Sequence, residues 1–158
     1  MKYILIMRHG EALQTNNLRN FDFPLSDNGR EEAARKGQLI SRYGVVPDVI
    51  LSSPALRAKT TAELVAEGCG YKGEIAFDAN LFTAFGHDYI INNIRVLPES
   101  VGRVLIVGHN PMMQDLVHDL SSSPEDIRLD PASLVAFALK DCEWLGLGPG
   151  ICRFQWAV

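Results

Sequence analysis

Residues 3–12 read YILIMRHGEA, an apolar run that breaks off on an arginine, a histidine and a glycine. A run without polar interruption is a strand covered on both faces, as in the middle of a parallel sheet. No other stretch constrains the fold as much. Helices must lie on both sides of this strand, and its carboxyl end must carry Arg8 and His9 to the edge of the sheet. Both side chains are costly to bury, so the abrupt stop needs a reason. Alone, the triplet is an ordinary surface loop. Two other segments repeat the same event.

The pattern along the chain alternates strands and helices. Lys2–Met7 is the first strand, and a polar, Asn-rich loop covers 11–23. A helix opens in PLSDNGREEAARKGQLISRYG, with Ser26 or Asp27 as N-cap and Gly44 at its stop. Ala33, Ala34, Gly37 and Ile40 form its narrow apolar face, which Leu39 would widen. Asp48–Leu51 is a second strand, halted by Ser52, Ser53 and Pro54. Ala55–Glu67 is the next helix, with Leu56, Thr60, Leu64 and Val65 spaced to face the sheet. A weak edge strand at Glu74–Phe77, a helix at Asp88–Val96, a buried strand at Arg103–Val107 and a helix at Pro111–Leu120 follow.

Leu134–Leu139 and Ile151–Val158 read as a closing pair of strands. In the last, Cys152, Phe154 and Trp156 alternate with Arg153 and Gln155, as on a strand with one buried face. The GLGPG stretch between them precedes a strand and not a helix, so it is a turn and not a phosphate cradle. The expected fold is α/β, a three-layer sandwich with a mostly parallel central sheet flanked by helices. With no linker or internal repeat, residues 1–158 form a single domain.

Composition narrows the function classes. The chain is 47% hydrophobic and 22% charged, the balance of a soluble globular protein. A net charge of −4 without a basic run argues against nucleic acid. No apolar stretch approaches the length of a membrane span, and the N-terminus lacks a signal-peptide pattern. Cys69, Cys142 and Cys152 are odd in number and lack CxxC or zinc spacing. They read as reduced thiols, which places the protein in the cytoplasm.

Three strands end on polar residues. The first delivers Arg8 and His9; the second leads through SSPALRAKTT to Arg57 in the first turn of a helix; VLIVGHNP delivers His109 and Asn110. Ligands of open α/β sheets bind outside the carboxyl ends of the strands. Two histidines and two arginines from distant segments therefore meet at one edge. A cation at a helix start opposes the helix dipole, which makes sense for Arg57 if an anion lies between them. Guanidinium groups offer paired donors to tetrahedral oxyanions, and helix N-termini after Pro54 and Asn110 add backbone N–H groups. A phosphoryl group is the natural occupant. The chain has no Asp/Glu/His cluster at metal-ligand spacing, so the positive charge comes from the protein and neither metal nor cofactor is expected.

The RHG triplet, the SSPALRAKTTAE segment and the VGHNP segment resemble the signatures of the histidine phosphatase (phosphoglycerate-mutase-like) superfamily. The short length, PLSDNG and EDIRLDPASLVAF resemble its small SixA-type branch, the phosphohistidine phosphatases. The resemblance covers nearly the whole chain. It implies that His9 is the nucleophile and forms a transient phosphohistidine that water hydrolyses. It implies that Arg8, Arg57 and His109 bind the equatorial oxygens, with the Asn110 backbone N–H as a weaker candidate. The partner would be a phosphohistidine-bearing signalling or phosphorelay protein, or a small phosphorylated substrate.

Two departures from the family pattern matter. Members that cleave phosphate monoesters carry a glutamate after the third strand, whereas here Leu81, Phe82, Thr83 and Ala84 occupy that place. Asp78, His87 or Asp88 would substitute only through an unusual loop. An alkoxide leaves badly without a proton donor, but an imidazole, of pKa about 6.5, is a far better leaving group. The gap therefore favours phosphohistidine over phosphosugars. Second, the arginine expected before PL is Phe23, and Arg19 is the nearest replacement.

Alternatives are a small-molecule phosphomonoesterase or phosphoramidase of the same superfamily, and a phosphate-binding module without catalysis. A mutase would need a larger substrate-enclosing lid. His118 reads as a surface or satisfied histidine, and Glu11 stands close enough to tune the site or simply to face solvent.

Overall fold

The structure, a computed structural model, describes residues 1–83, 86–123, 126–140 and 143–158; Ala84 and Cys142 lie outside the described residues. The YILIM run becomes the middle of β1 (Lys2–Arg8), with Ile4, Leu5, Ile6 and Met7 fully buried. β1 is hydrogen-bonded on both edges, parallel to β4 (Arg103–Gly108) and antiparallel to β5 (Leu134–Leu139). With β2 (Val49–Ser52), β3 (Ile75–Phe77) and β6 (Arg153–Ala157), the sheet has six strands in the order β3-β2-β4-β1-β5-β6. The four strands from β3 to β1 run parallel, β5 runs against β1, and β6 runs against β5.

Successive residues of β1 serve opposite layers. Leu5 and Met7 pack with α1 (Asp27–Arg42) and α2 (Leu56–Cys69), through Ala33, Ile40, Ala62 and Val65. Ile4 and Ile6 pack with α3 (Asp88–Arg95) and α4 (Met112–Leu120), through Ile90, Ile94, Met113 and Leu116. This is the expected three-layer sandwich. The chain leaves β1 toward β2 and leaves β4 toward β5, on opposite sides and over opposite faces. The carboxyl ends of β1 and β4 are therefore the switch point, where α/β sheets bind ligands.

The caps and the finer packing follow local chemistry. Ser26 is the N-cap of α1, its Oγ accepting from Gly29 N at 3.0 Å. The inward face of α2 differs from the one its leucines indicate. Ala58, Thr61, Ala62, Val65 and Ala66 are buried, while Leu56 is 40% exposed and Thr60 and Leu64 are half-buried. The cause is the close approach of α1 to α2. A Cβ on Gly37 would stand 2.6 Å from Val65 O and 2.9 Å from Gly68 Cα, a spacing that only small residues tolerate.

β6 alternates in burial as expected, but its covered side chains do not share one layer. A register shift beside Ala136 and Phe137 puts Phe154 against Phe137 in one layer and Trp156 against Tyr43 in the other. Among the described residues no helix is long and apolar enough to cross a membrane.

Candidate active site

Register alone brings the two histidines together. Arg8 lies opposite Gly108 across the β1–β4 ladder, and His9 N donates to Gly108 O at 3.0 Å. His9 and His109 thus leave adjacent strands at the same level, with ring centroids 5.0 Å apart. His9 Nδ1 stands 2.7 Å from Gly10 O. A carbonyl only accepts, so Nδ1 carries the proton and Nε2 keeps its lone pair. Arg57, in the first turn of α2, donates from Nε to that Nε2 at 3.3 Å.

Burial lowers the pKa of His9 to about 4; the Gly10 bond opposes the shift, and Arg57 and Arg8 add to it. Burial, followed by His9, Arg57 and Arg8, lowers that of His109 to about 3. Both rings are neutral at pH 7.

Among the described residues the two arginines lack counter-charges. Arg8 donates from Nη1 to Leu129 O at 3.0 Å, and its buried Nε has no partner. Arg57 donates from Nη1 and Nη2 to the backbone and side-chain oxygens of Asn20, at 2.7 and 2.9 Å. Among the described residues no carboxylate pairs with either guanidinium. The helices that start beside the site, α2 and α4, also begin without a side-chain cap. Unpaired donors and free helix N-termini at one place are a demand for an anion.

A cleft of about 280 Å³ opens over this cluster, lined by Arg8, His9, Glu11, Ala12, Gln14, Asn20, Phe23, Arg57 and Pro131. His109 and Asn110 are not on its wall. His109 Nε2 is 2.8 Å from Ser53 Oγ, and its buried Nδ1 is unpartnered. Asn110 donates from Nδ2 to Leu129 O at 3.1 Å, leaving its buried Oδ1 without a partner. Of the five residues picked from sequence, Arg8, His9 and Arg57 face the cleft and the other two flank it.

Sequence reasoning missed the residues that hold these groups. Thr61 Oγ accepts from Gly10 N at 3.0 Å and donates to Arg57 O at 2.7 Å, tying the turn after β1 to α2. Its position one helical turn after Arg57 was the available signal. Asn20 and Ser53 gave none, since their partners are distant in sequence.

The region expected to carry a leaving-group acid is aromatic. Phe82 stands edge-on to His109 with centroids 5.5 Å apart, and Phe21 packs on Phe82 at 5.1 Å. Asp78 accepts from Tyr89 Oη at 2.6 Å and from Asn80 N at 2.9 Å. His87 pairs with Asp119 at 3.2 Å, and Arg19 with Asp22 at 2.9 Å. Asp78, His87, Asp88 and Arg19 are all absent from the cleft wall. His87, Asp88 and Asp119 also bring their donor atoms within 4.8 Å of one another, a grouping that sequence spacing does not reveal. Phe23 does line the cleft, and so does Glu11, whose Oε1 accepts from Ser26 Oγ at 2.7 Å.

The fold and site define an α/β protein able to hold a tetrahedral oxyanion against an unprotonated histidine. Residues 4–82 match the family model of the histidine phosphatase superfamily (branch 1), and the chain belongs to that superfamily. Over 69 residues it is 39% identical to the 2,3-bisphosphoglycerate-dependent phosphoglycerate mutase of Mycobacterium leprae. That match covers 40% of this chain and spans only 27% of the mutase. The SixA structure from Nakamurella multipartitia superposes with a TM-score of 0.86 at 20% identity, covering 99% of this chain and 95% of that one. The protein histidine phosphatase SixA complexed with tungstate gives 0.75 at 23% identity, over 98% and 95%. These two likenesses establish the fold.

Proposed function

We propose that the chain is a SixA-type phosphatase that hydrolyses phosphohistidine on a protein, by way of a covalent phosphohistidine at His9. One observation carries the reading: His9 Nε2, left unprotonated by the Nδ1–H to Gly10 O contact, accepts from Arg57 in a cleft shared with Arg8, and among the described residues neither guanidinium has a carboxylate partner. Nε2 attacks phosphorus in line, and the P–N bond of the substrate breaks with its electron pair passing to the leaving nitrogen. That ring departs neutral when its other nitrogen carries a proton. Water then attacks phospho-His9, releasing phosphate and restoring the imidazole. Arg8 and Arg57 neutralise the equatorial oxygens, and Arg57 Nε exchanges Nε2 for one of them.

The aromatic Phe82 near His109 supports phosphohistidine as substrate, because a good leaving group manages without a positioned acid. That the SixA neighbour is complexed with tungstate supports an oxyanion as the ligand. One observation favours a second reading, phosphomonoester hydrolysis: Glu11 puts a carboxylate on the cleft wall. Its bond from Ser26 engages it as an acceptor, which weighs against an acid role. The test is turnover of a histidine-phosphorylated protein against a phosphosugar. Preference for the protein is expected, and faster hydrolysis of the sugar would overturn the reading.

A further inference from the structure

Residues 126–133 have no part in the chemistry above, yet they are hydrogen-bonded to Arg8, His9 and Asn110. Leu129 O accepts from both Arg8 Nη1, at 3.0 Å, and Asn110 Nδ2, at 3.1 Å. Ser133 O accepts from Arg8 N at 3.1 Å, and Ala132 N donates to His9 O at 3.0 Å. Ala132 sits at φ 64°, a left-handed conformation that is unfavourable for a residue with a Cβ. The segment is therefore held against β1 by something stronger than its own preference.

That hold comes from α4. Gln114 Oε1 accepts from Leu129 N at 2.8 Å, and Gln114 Nε2 donates to Ile127 O at 2.5 Å. Both arms of one amide thus clamp the backbone on either side of Arg128, and Leu129 is buried beside them. We propose that Gln114 is a positioning residue for oxyanion binding. By holding Leu129 N and Ile127 O it fixes Leu129 against α4, and the Leu129 carbonyl, one peptide further on, anchors one arm of Arg8, whose buried Nε has no partner in the protein. Gln114 acts through Leu129 and touches no substrate. The inference rests on the reading of Arg8 as an oxyanion ligand.

The test is tungstate affinity, measured by calorimetry on the whole chain at a temperature where each variant is folded. Gln114→Met keeps the volume and removes both bonds, and should weaken tungstate binding by about tenfold, the effect of one hydrogen bond to a charged group. Gln114→Glu keeps an acceptor for Leu129 N but sets an oxygen against the Ile127 carbonyl and adds a negative charge, so it should weaken tungstate binding as well. In the wild type, tungstate should shift the Leu129 N–H and Gln114 side-chain amide resonances. A merely structural glutamine would lower the melting temperature and leave the affinity alone. Wild-type affinity in either folded variant, or resonances that stay put in the wild type, overturns the assignment while the oxyanion site stands. A wild type that binds no tungstate overturns both.

Discussion

Arg57 Nε donates to His9 Nε2 from 3.3 Å, so the lone pair proposed to attack phosphorus is occupied by an arginine. Asn20 holds the other two nitrogens of the same guanidinium. Removing the group should cost both orientation and charge. Arg57→Ala is expected to lower kcat/KM by about a hundredfold or more, as for loss of a charge-stabilising donor. Arg57→Lys should recover little, because an ammonium cannot reach His9 and Asn20 together. Steady-state kinetics on both variants check this.

Acid should weaken the fold through the same histidines. Both folded pKa values, about 4 for His9 and about 3 for His109, lie below the ordinary histidine value of 6.5. Between those values and 6.5 the unfolded chain binds more protons, so stability rises with pH there. It should be fully present above about pH 6.5 and fall progressively as the pH drops toward 4. Denaturant melts across that window check it, with NMR titration of the two rings in the absence of oxyanion. Replacing either histidine by glutamine should flatten the slope.

Phe82 occupies the region where an acid would stand, beside His109. Phe82→Glu should raise turnover of phosphate monoesters relative to phosphohistidine, since a positioned acid is worth about a hundredfold when well placed. The loss of the Phe21 and His109 ring contacts should lower the melting temperature of the same variant. Parallel kinetics on the two substrate classes decide it.

Thr61 is fully buried and serves two backbone groups with one hydroxyl. Thr61→Val leaves Gly10 N–H buried without an acceptor and should cost about 1–3 kcal/mol. Thr61→Ser keeps the oxygen and should lose less. Chemical denaturation measures both.

Which parts were legible in sequence follows from where the signal lies. β1 and β4 were readable because an apolar run that stops on Arg-His-Gly or Gly-His-Asn marks both the burial and its end. Their pairing in register then placed His9 beside His109 without further information. The inward face of α2 was misjudged because its seam with α1 is built from small residues, Ala58, Ala62, Gly37 and Gly68, whose fit depends on the partner helix. The opposed faces of Phe154 and Trp156 come from a bulge, which a period-two pattern cannot show. Asn20, Ser53 and Gln114 act on residues at long range or through backbone atoms, so no local spacing announces them.

The central claim is that His9 Nε2 takes the phosphoryl group. Rapid acid-free quenching of the wild type with a radiolabelled phosphohistidine protein, followed by peptide mapping, tests it most directly. The account predicts label on the peptide containing His9, absent from His9→Ala and chased by unlabelled substrate. Turnover without any label on His9, or label that persists in His9→Ala, would contradict it.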